Sequence, residues 1–290
     1  MSGGIVMTNK STILAKSAVL ALTLATAIAA FAAPAMAQVH EVPAPPAVKW
    51  SFAGPFGKYD EGQLQRGFKI YKEVCSSCHA LSLLSIGSLA DAGGPGFSEA
   101  QVAALAAEYK VKDLDDKGET IERAGRPADH FPSPFANDAA AAAANGGTAP
   151  PDMSTLAKAR GYMRGFPLFV LDIFTQYQEA GPDYIHAILT GYKDAAPAGF
   201  TMPAGGNYND YFPGHVIAMP KPLSDGQVTF DDGSPATLAQ YSKDVTAFLM
   251  WAAEPKLVQR KRTGFQVMIF LIVLSGLMYF TKKKVWSAVH

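Results

Sequence analysis

Cysteine is nearly absent: 290 residues hold two, Cys75 and Cys78. With no second pair, a zinc site lacks the two further ligands it needs at short spacing. A thioredoxin-like redox pair belongs in a βαβ setting, and the residues before Cys75 read as helix. A structural disulfide across two intervening residues is rare. Excess charge is missing as well, with 25 basic and 25 acidic residues. A net charge of zero gives no global basic field for nucleic acid. Nor is the chain short of apolar residues, at 49%, so it has material for a core and one or two domains.

The two cysteines stand in one run, Cys75-Ser76-Ser77-Cys78-His79. C-x-x-C-H is the pattern of covalent haem attachment. Two thiolates about one turn apart can add across the two vinyl groups of one haem, and the adjacent histidine is then carried to the iron as proximal ligand. Upstream, Asp60 and Gln63 have the spacing of a capping box. Leu64, Gly67, Phe68 and Tyr71 then share one helical face that runs into Cys75.

Both ends carry membrane signals. Lys10 and Lys16, the apolar run Ala18–Ala33 and Ala35-Met36-Ala37 have the order of an export signal with a small-residue cleavage site. This predicts a cleaved segment 1–37, a mature chain from Gln38 and an exported domain to residue 255. Export also accounts for the cysteines, because attachment consumes thiols that an oxidising compartment would otherwise oxidise. Near the other end, Thr263 to Phe280 is free of charge, between Arg260-Lys261-Arg262 and Lys282-Lys283-Lys284. As a helix it reaches roughly 27 Å, enough to cross the hydrocarbon layer. Residues 256–290 are therefore read as an anchor. Basic residues on both sides leave orientation to the export signal, which places His290 in the cytoplasm.

Between these ends the expected elements are mostly helical. Glu41–Pro55 is a Pro-rich extended arm. Ser98 caps a helix through Tyr109, and Ala139–Ala144 is a short helix ending at Asn145-Gly146-Gly147. Pro150-Pro151-Asp152 leads into a helix with Leu156, Lys158 and Arg160. Phe169–Tyr177 reads as a buried apolar helix, and Gly181-Pro182 to Gly191 as another. Ala195–Pro222 has no helical period, Gln227–Asp232 is one arm of a hairpin, and Leu238–Ala253 is a core helix. Lys110–Glu122 is rich in acids (Asp113, Asp115, Asp116, Glu119, Glu122) and reads as a solvated loop or a docking surface for a basic partner.

A haem iron held for electron transfer needs a sixth ligand. The candidates are His40, His130, His186, His215 and His290, and Met153, Met163, Met202, Met219 and Met250. Residues before proline have less freedom to lose. That favours Met219, before Pro220 and after the apolar run Val216-Ile217-Ala218, and secondarily Met202, which precedes Pro203 among glycines. Thioether ligation makes a high-potential carrier.

Taken in order, these residues resemble the cytochrome c1 family, the haem subunits of ubiquinol–cytochrome c oxidoreductase (bc1) complexes, in its alphaproteobacterial form. The resemblance rests on Phe52-Ala53-Gly54-Pro55-Phe56-Gly57, Gln65-Arg66-Gly67, Cys75 to His79, and Asp129-His130-Phe131-Pro132. It continues through Pro150 to Ser154, Lys158-Ala159-Arg160, Asp183-Tyr184, Leu189-Thr190-Gly191, Ile217 to Pro220, and Phe248 to Pro255 with a span after it. It implies a mainly α c-type haem domain with long loop insertions and one C-terminal transmembrane helix. It implies thioether bonds at Cys75 and Cys78, His79 and Met219 as axial ligands, Arg160 beside a haem propionate, and Asn145 and Tyr184 lining the pocket. It further implies a subunit that is not catalytic alone, with a cytochrome b subunit, a Rieske iron–sulfur protein as donor and a soluble cytochrome c as acceptor, in a dimeric complex of the bacterial inner membrane. Two departures stand out. The chain lacks the extra cysteine pair of many bacterial relatives, so the 195–214 loop must be held by packing. Gly87 also stands where relatives suggest a basic residue.

Overall fold

The computed structural model describes residues Val42–Ser287 apart from Met163 and Gln176. The expected export signal, with His40 and His290, lies outside the described residues. The chain is mainly helical, as expected. In order it forms α1 (Glu61–Glu73), α2 (Glu99–Glu108), strands β1 (Lys110–Leu114) and β2 (Thr120–Ala124), α3 (Asp138–Ala144), α4 (Leu156–Ala159) and α5 (Leu168–Thr175). There follow α6 (Ala180–Thr190), the two-residue strands β3 (Asn207–Tyr208) and β4 (Val216–Ile217), α7 (Leu238–Ala253) and α8 (Leu257–Trp286).

The core is the packing of α1 on α7. Gly67 makes it possible, since a Cβ there would lie 2.2 Å from the Asp244 carbonyl oxygen and 2.6 Å from Phe248 Cβ. Around that crossing, Phe68 and Tyr71 meet Phe248 at ring distances of 5.6 and 5.8 Å. Phe131 and Trp251 extend the same aromatic cluster. The fully buried Asp244 carboxylate accepts from Arg66 Nε at 2.7 Å and from Gln63 Nε2 at 3.1 Å. A buried charge paired and hydrogen-bonded in this way fixes the register of the two helices. Asp60 caps α1 through the Gln63 N–H. The reciprocal half of the expected box is absent because the Gln63 side chain is drawn to Asp244.

Three expectations are corrected. Lys110–Glu122 is no loop but the antiparallel hairpin β1–β2. Its Asp115–Gly118 turn is closed by the Asp115 carboxylate on the Lys117 and Glu119 N–H groups. Arg123 reaches Asp113 at 2.5 Å and both Asp129 oxygens at 2.6 and 2.8 Å, tying the hairpin to the next turn. Gln227–Asp232 is not a strand, having no partner. The Tyr241 hydroxyl instead serves both backbone groups of Val228. The Pro-rich arm has no helix or strand over residues 42–50 but turns at residues 51–55, and Trp50 and Phe52 belong to the core. Val48 N–H and Trp50 Nε1 both donate to the buried Asp183 at the start of α6, at 3.0 and 2.8 Å.

A fourth difference concerns α5. It is helical where expected, but Leu168, Phe169, Leu171 and Phe174 face outward rather than being buried. An apolar run without a polar face has no period by which to tell a protein interior from another apolar medium.

Helix α8 leaves the head two residues after Pro255 and runs 30 residues without interruption. Among the described residues it is the one helix long and apolar enough to cross a membrane. Leu257 is buried in the head, and Glu254 accepts from both Lys158 and Arg260. Burial works against the Glu254 charge, yet these two cations hold its carboxyl below the ordinary glutamate range. The head is thus joined to α8 by a clamp, not a tether.

Candidate functional site

Helix α1 ends at Glu73, and Cys75–Ser77 tighten into a single 3₁₀ turn. The Cys75 carbonyl accepts from both Cys78 N–H (3.1 Å) and His79 N–H (2.9 Å). This one carbonyl therefore fixes the three chemical residues relative to each other. Both cysteines are free and half-buried. Burial, then the neighbouring Cys78, pushes the Cys75 thiol up to about 12.

The His79 ring is buried, and its Nδ1 lies 2.8 Å from the Pro151 carbonyl oxygen. A carbonyl only accepts, so Nδ1 carries the proton and Nε2 keeps its lone pair. Burial lowers the pKa of His79 below its ordinary value, against the opposing pull of Pro151 and Asp152, so the ring is neutral. A neutral, oriented imidazole with its far nitrogen free is the form that ligates a metal.

The segment that presents Pro151 is pinned to the residues following His79. Met153 N–H donates to the Ala80 carbonyl at 2.8 Å. Asp152 accepts from Ser82 N–H and Oγ at 3.0 and 2.6 Å, and Ser154 Oγ accepts from Leu83 N–H at 3.0 Å. Next along the chain, Gly87 N–H meets the Pro127 carbonyl at 2.6 Å, and a Cβ on Gly87 would lie 2.8 Å from that oxygen. Glycine there lets the two turns close, which accounts for the departure at this position.

Met219 stands on a separate support. Its carbonyl accepts from the Tyr192 hydroxyl at 3.0 Å and from Asn207 Nδ2 at 3.3 Å. The 195–214 loop has no disulfide and is pinned instead by Asn209, which is fully buried. Asn209 Nδ2 donates to the Ile188 carbonyl near the end of α6 at 2.8 Å, and its Oδ1 accepts from Tyr211 N–H. Tyr208 stacks on His215 at 5.4 Å and meets Phe200 edge-on at 5.2 Å.

The remaining candidates sort by what already engages them. Met153 and Met250 are packed in the core. Met202 curls back on its own loop, its methyl 3.4 Å from where a Gly206 Cβ would stand. Met163 lies outside the described residues. His186 meets Trp50 edge-on, and its buried Nδ1 has no hydrogen-bond partner among the described residues. His130 Nδ1 lies 2.6 Å from the Ser82 carbonyl oxygen, and His215 Nδ1 lies 3.1 Å from that of Asn209.

Arg160 ends α4 with an exposed side chain that has no carboxylate partner among the described residues. Burial raises the Tyr184 phenol above its ordinary value, and the nearby Arg160 charge partly offsets this. Asn145 caps its own helix, its Nδ2 donating to Ala141 at 2.8 Å.

A profile of the Cytochrome C1 family matches residues 50–289, most of the chain and all of the site. The chain belongs to the cytochrome c1 family. Among its relatives, the cytochrome b/c1 of Bradyrhizobium diazoefficiens is 66% identical over 247 residues, covering 85% of this chain and 36% of that protein. The cytochrome c1 of Blastochloris viridis is 49% identical over 93% of this chain and 96% of its own. The mitochondrial cytochrome c1 heme protein of Kluyveromyces lactis is 41% identical over 84% and 77%. Membership of the cytochrome c1 family makes the chain an electron carrier, and the paired free thiols and the oriented His79 fit a haem c.

Sequence reasoning had no view of the Pro151 carbonyl as the orienting partner of His79, nor of Tyr192, Asn207 and Asn209 as supports of the Met219 loop. The signal for the first was present in Pro150-Pro151-Asp152, a stiff segment read only as the lead into a helix. The second group is scattered through a loop without periodicity.

Proposed function

We propose that the chain is the electron-transfer subunit of a cytochrome bc1 complex. It accepts an electron from a Rieske iron–sulfur protein and passes it to a soluble c-type cytochrome, with one covalently attached haem c supplying the one-electron couple. Cys75 and Cys78 form the thioether bonds, His79 Nε2 is the proximal ligand and the Met219 thioether the distal one. The guanidinium of Arg160 binds a propionate, while Tyr184 and Asn145 line the pocket. The chain's own work is to hold His79 neutral, keep its proton on Nδ1 and fix the attachment turn through the Cys75 carbonyl. The chain is not catalytic alone.

In this reading residues 1–37 are a cleaved export signal. Residues 38–255 are the head, on the periplasmic side of the bacterial inner membrane, and 256–290 are the anchor with a cytoplasmic end. The clamped start of α8 supports a head held at fixed height beside fixed partners, within a dimeric complex. The Bradyrhizobium relative's name joins b and c1 in one protein, which supports a cytochrome b subunit as partner.

The observation that carries the proposal is the 2.8 Å contact of His79 Nδ1 with the Pro151 carbonyl, in the turn that holds both free thiols. Purification from membranes in mild detergent tests it. The expected result is co-purification with a b-type cytochrome and an iron–sulfur protein, and a low-spin spectrum. A chain that purifies alone, or a high-spin ferrous form that binds carbon monoxide rapidly, contradicts it.

A further inference from the structure

Helix α5 and its N-terminal flank concentrate large apolar side chains on the outside of the head. Phe166 and Phe174 are 82% and 79% exposed, and Leu168, Phe169 and Leu171 are exposed as well. The only charged residue of the helix is Asp172, and Arg164 neutralises it at 2.8 Å. Arg164 in turn covers the Tyr177 ring at 4.2 Å. Leu168, Phe169, Leu171 and Phe174 spread round more than half of the helix circumference. A packed neighbouring element covers a narrower stripe, so what meets this helix wraps it.

Its position indicates what that is. Gln178, three residues past the end of α5, accepts through Oε1 from Arg260 Nη2 at 3.0 Å. Arg260 precedes the charge-free span, which begins at Thr263, by less than one helical turn, about 4.5 Å along the axis. A second head segment reaches the same level. Lys261 Nζ donates to the Phe52 and Gly54 carbonyls at 2.6 and 2.5 Å, and the exposed Phe56 meets Phe265 edge-on at 5.6 Å. Arg260, Lys261 and Arg262 place a basic collar there, where anionic headgroups are attracted.

We infer that α5 is an interfacial helix, lying at the boundary of headgroups and acyl chains in the leaflet that α8 enters, with lipid as its partner. Apolar and aromatic side chains on a short helix whose one carboxylate is already paired suit that layer. Together with Phe56, α5 gives the head a second footing on the membrane beside the span, restricting its tilt about the start of α8.

The inference rests on reading α8 as a membrane span, and the test separates the two. Phe169→Cys, Phe174→Cys, Leu274→Cys and Asp116→Cys are made singly in the full haem-loaded chain within its complex. Each is nitroxide-labelled in nanodiscs containing anionic lipid, with the unsubstituted complex labelled in parallel as blank. The chain's own cysteines are both in the attachment motif, so each variant adds one site. Collision with oxygen is compared with collision with a water-soluble nickel chelate. The expected oxygen-to-nickel ratio at 169 and 174 lies several-fold above that at Asp116, on the hairpin turn, and approaches that at Leu274. A water-like ratio at 174 beside a lipid-like ratio at 274 overturns the inference alone. Low accessibility to both reagents at 169 and 174 overturns it in favour of a protein cover. A water-like ratio at 274 overturns the span reading, and the inference with it.

Discussion

The turn that carries His79 and the loop that carries Met219 are both pinned through backbone carbonyls, but with different strength. On the His79 side, a thirteen-residue helix packed on α7 delivers the turn, and Pro151–Ser154 are bonded to His79 and to Ser82 and Leu83 just after it at 2.6 to 3.0 Å. The Tyr71 hydroxyl, from the aromatic core, donates to the His79 carbonyl as well, at 3.2 Å. On the Met219 side, the Tyr192 hydroxyl donates to the Met219 carbonyl at 3.0 Å, and one amide, Asn207 Nδ2, is shared among the Ile217, Ala218 and Met219 carbonyls at 3.3 to 3.4 Å. Those contacts are long for N–H···O bonds, and β3–β4 pairs only two residues on each strand. The proximal side is therefore set by the protein core itself. The Met219 side rests on fewer bonds, most of them long.

The widest break in this comparison comes from the proximal side. Replacing Cys75 and Cys78 together by Ala removes both points of attachment while the turn keeps its backbone bonds. The expected outcome is complete loss of covalently bound haem, read as haem-dependent peroxidase staining of the denatured chain on a gel, with near-normal helix content by circular dichroism. Retained staining would overturn the assignment of the motif.

The distal side should yield more gently. Met219→Leu leaves attachment intact and removes the thioether. The midpoint potential is expected to fall by on the order of 0.1 V or more, within the ~0.8 V that axial ligands span, with loss of the iron–sulfur absorbance band. Met202→Leu should leave both unchanged, since Met202 is folded onto its own loop. Equal effects from the two methionines would erase the distinction between them.

How far each side was legible in the sequence follows the same division. The proximal side is local: a cap at Asp60, an apolar face at Leu64, Phe68 and Tyr71, and C-x-x-C-H directly after it. Short-range pattern captures all of that. Arg66 and Gln63 reaching Asp244, more than 170 residues away, leave no such pattern, and neither does the Asn209 amide under α6. The Ala195–Pro222 stretch was recognisable as irregular, but not the means by which it is held. Helix α5 shows the opposite failure, because its strong apolar signal was read as core when the side chains lie outside. Hydrophobicity reports a preference for leaving water and not the medium entered.

A finer test of the distal support is the pair Tyr192→Phe and Asn207→Ala. Each removes donors to the Met219 carbonyl without touching the thioether, at a cost of about 1 kcal/mol per bond lost. The expected sign is an unchanged potential at room temperature with an iron–sulfur band that disappears at lower temperature than in the parent chain. The double variant should exceed either single one, because the two donors share an acceptor. A band as heat-resistant as the parent's would place the rigidity of Met219 elsewhere.

The smallest effect belongs to the proximal staple at Asp152, and it is one of pH. Burial works to raise the Asp152 pKa, but hydrogen bonds from Ser154 and Ser82 outweigh it and hold the carboxyl below its ordinary value. A depressed carboxylate stabilises the folded state fully above its unfolded pKa, about 3.9, and loses that contribution as pH falls through the lower folded value. Asp152 is solvent-exposed, so the screened contribution is below about 1 kcal/mol. Protection of the Ser82 and Ser154 amides against exchange, taken relative to the intrinsic rate at each pH, should therefore fall modestly below about pH 4 while that of Asn209 and Tyr211 does not change. Asp152→Asn should show the lowered protection already at neutral pH and lose its acid dependence. If acid instead loosens the Asn209 loop first, the proximal side is not the one whose support depends on an ionised carboxylate.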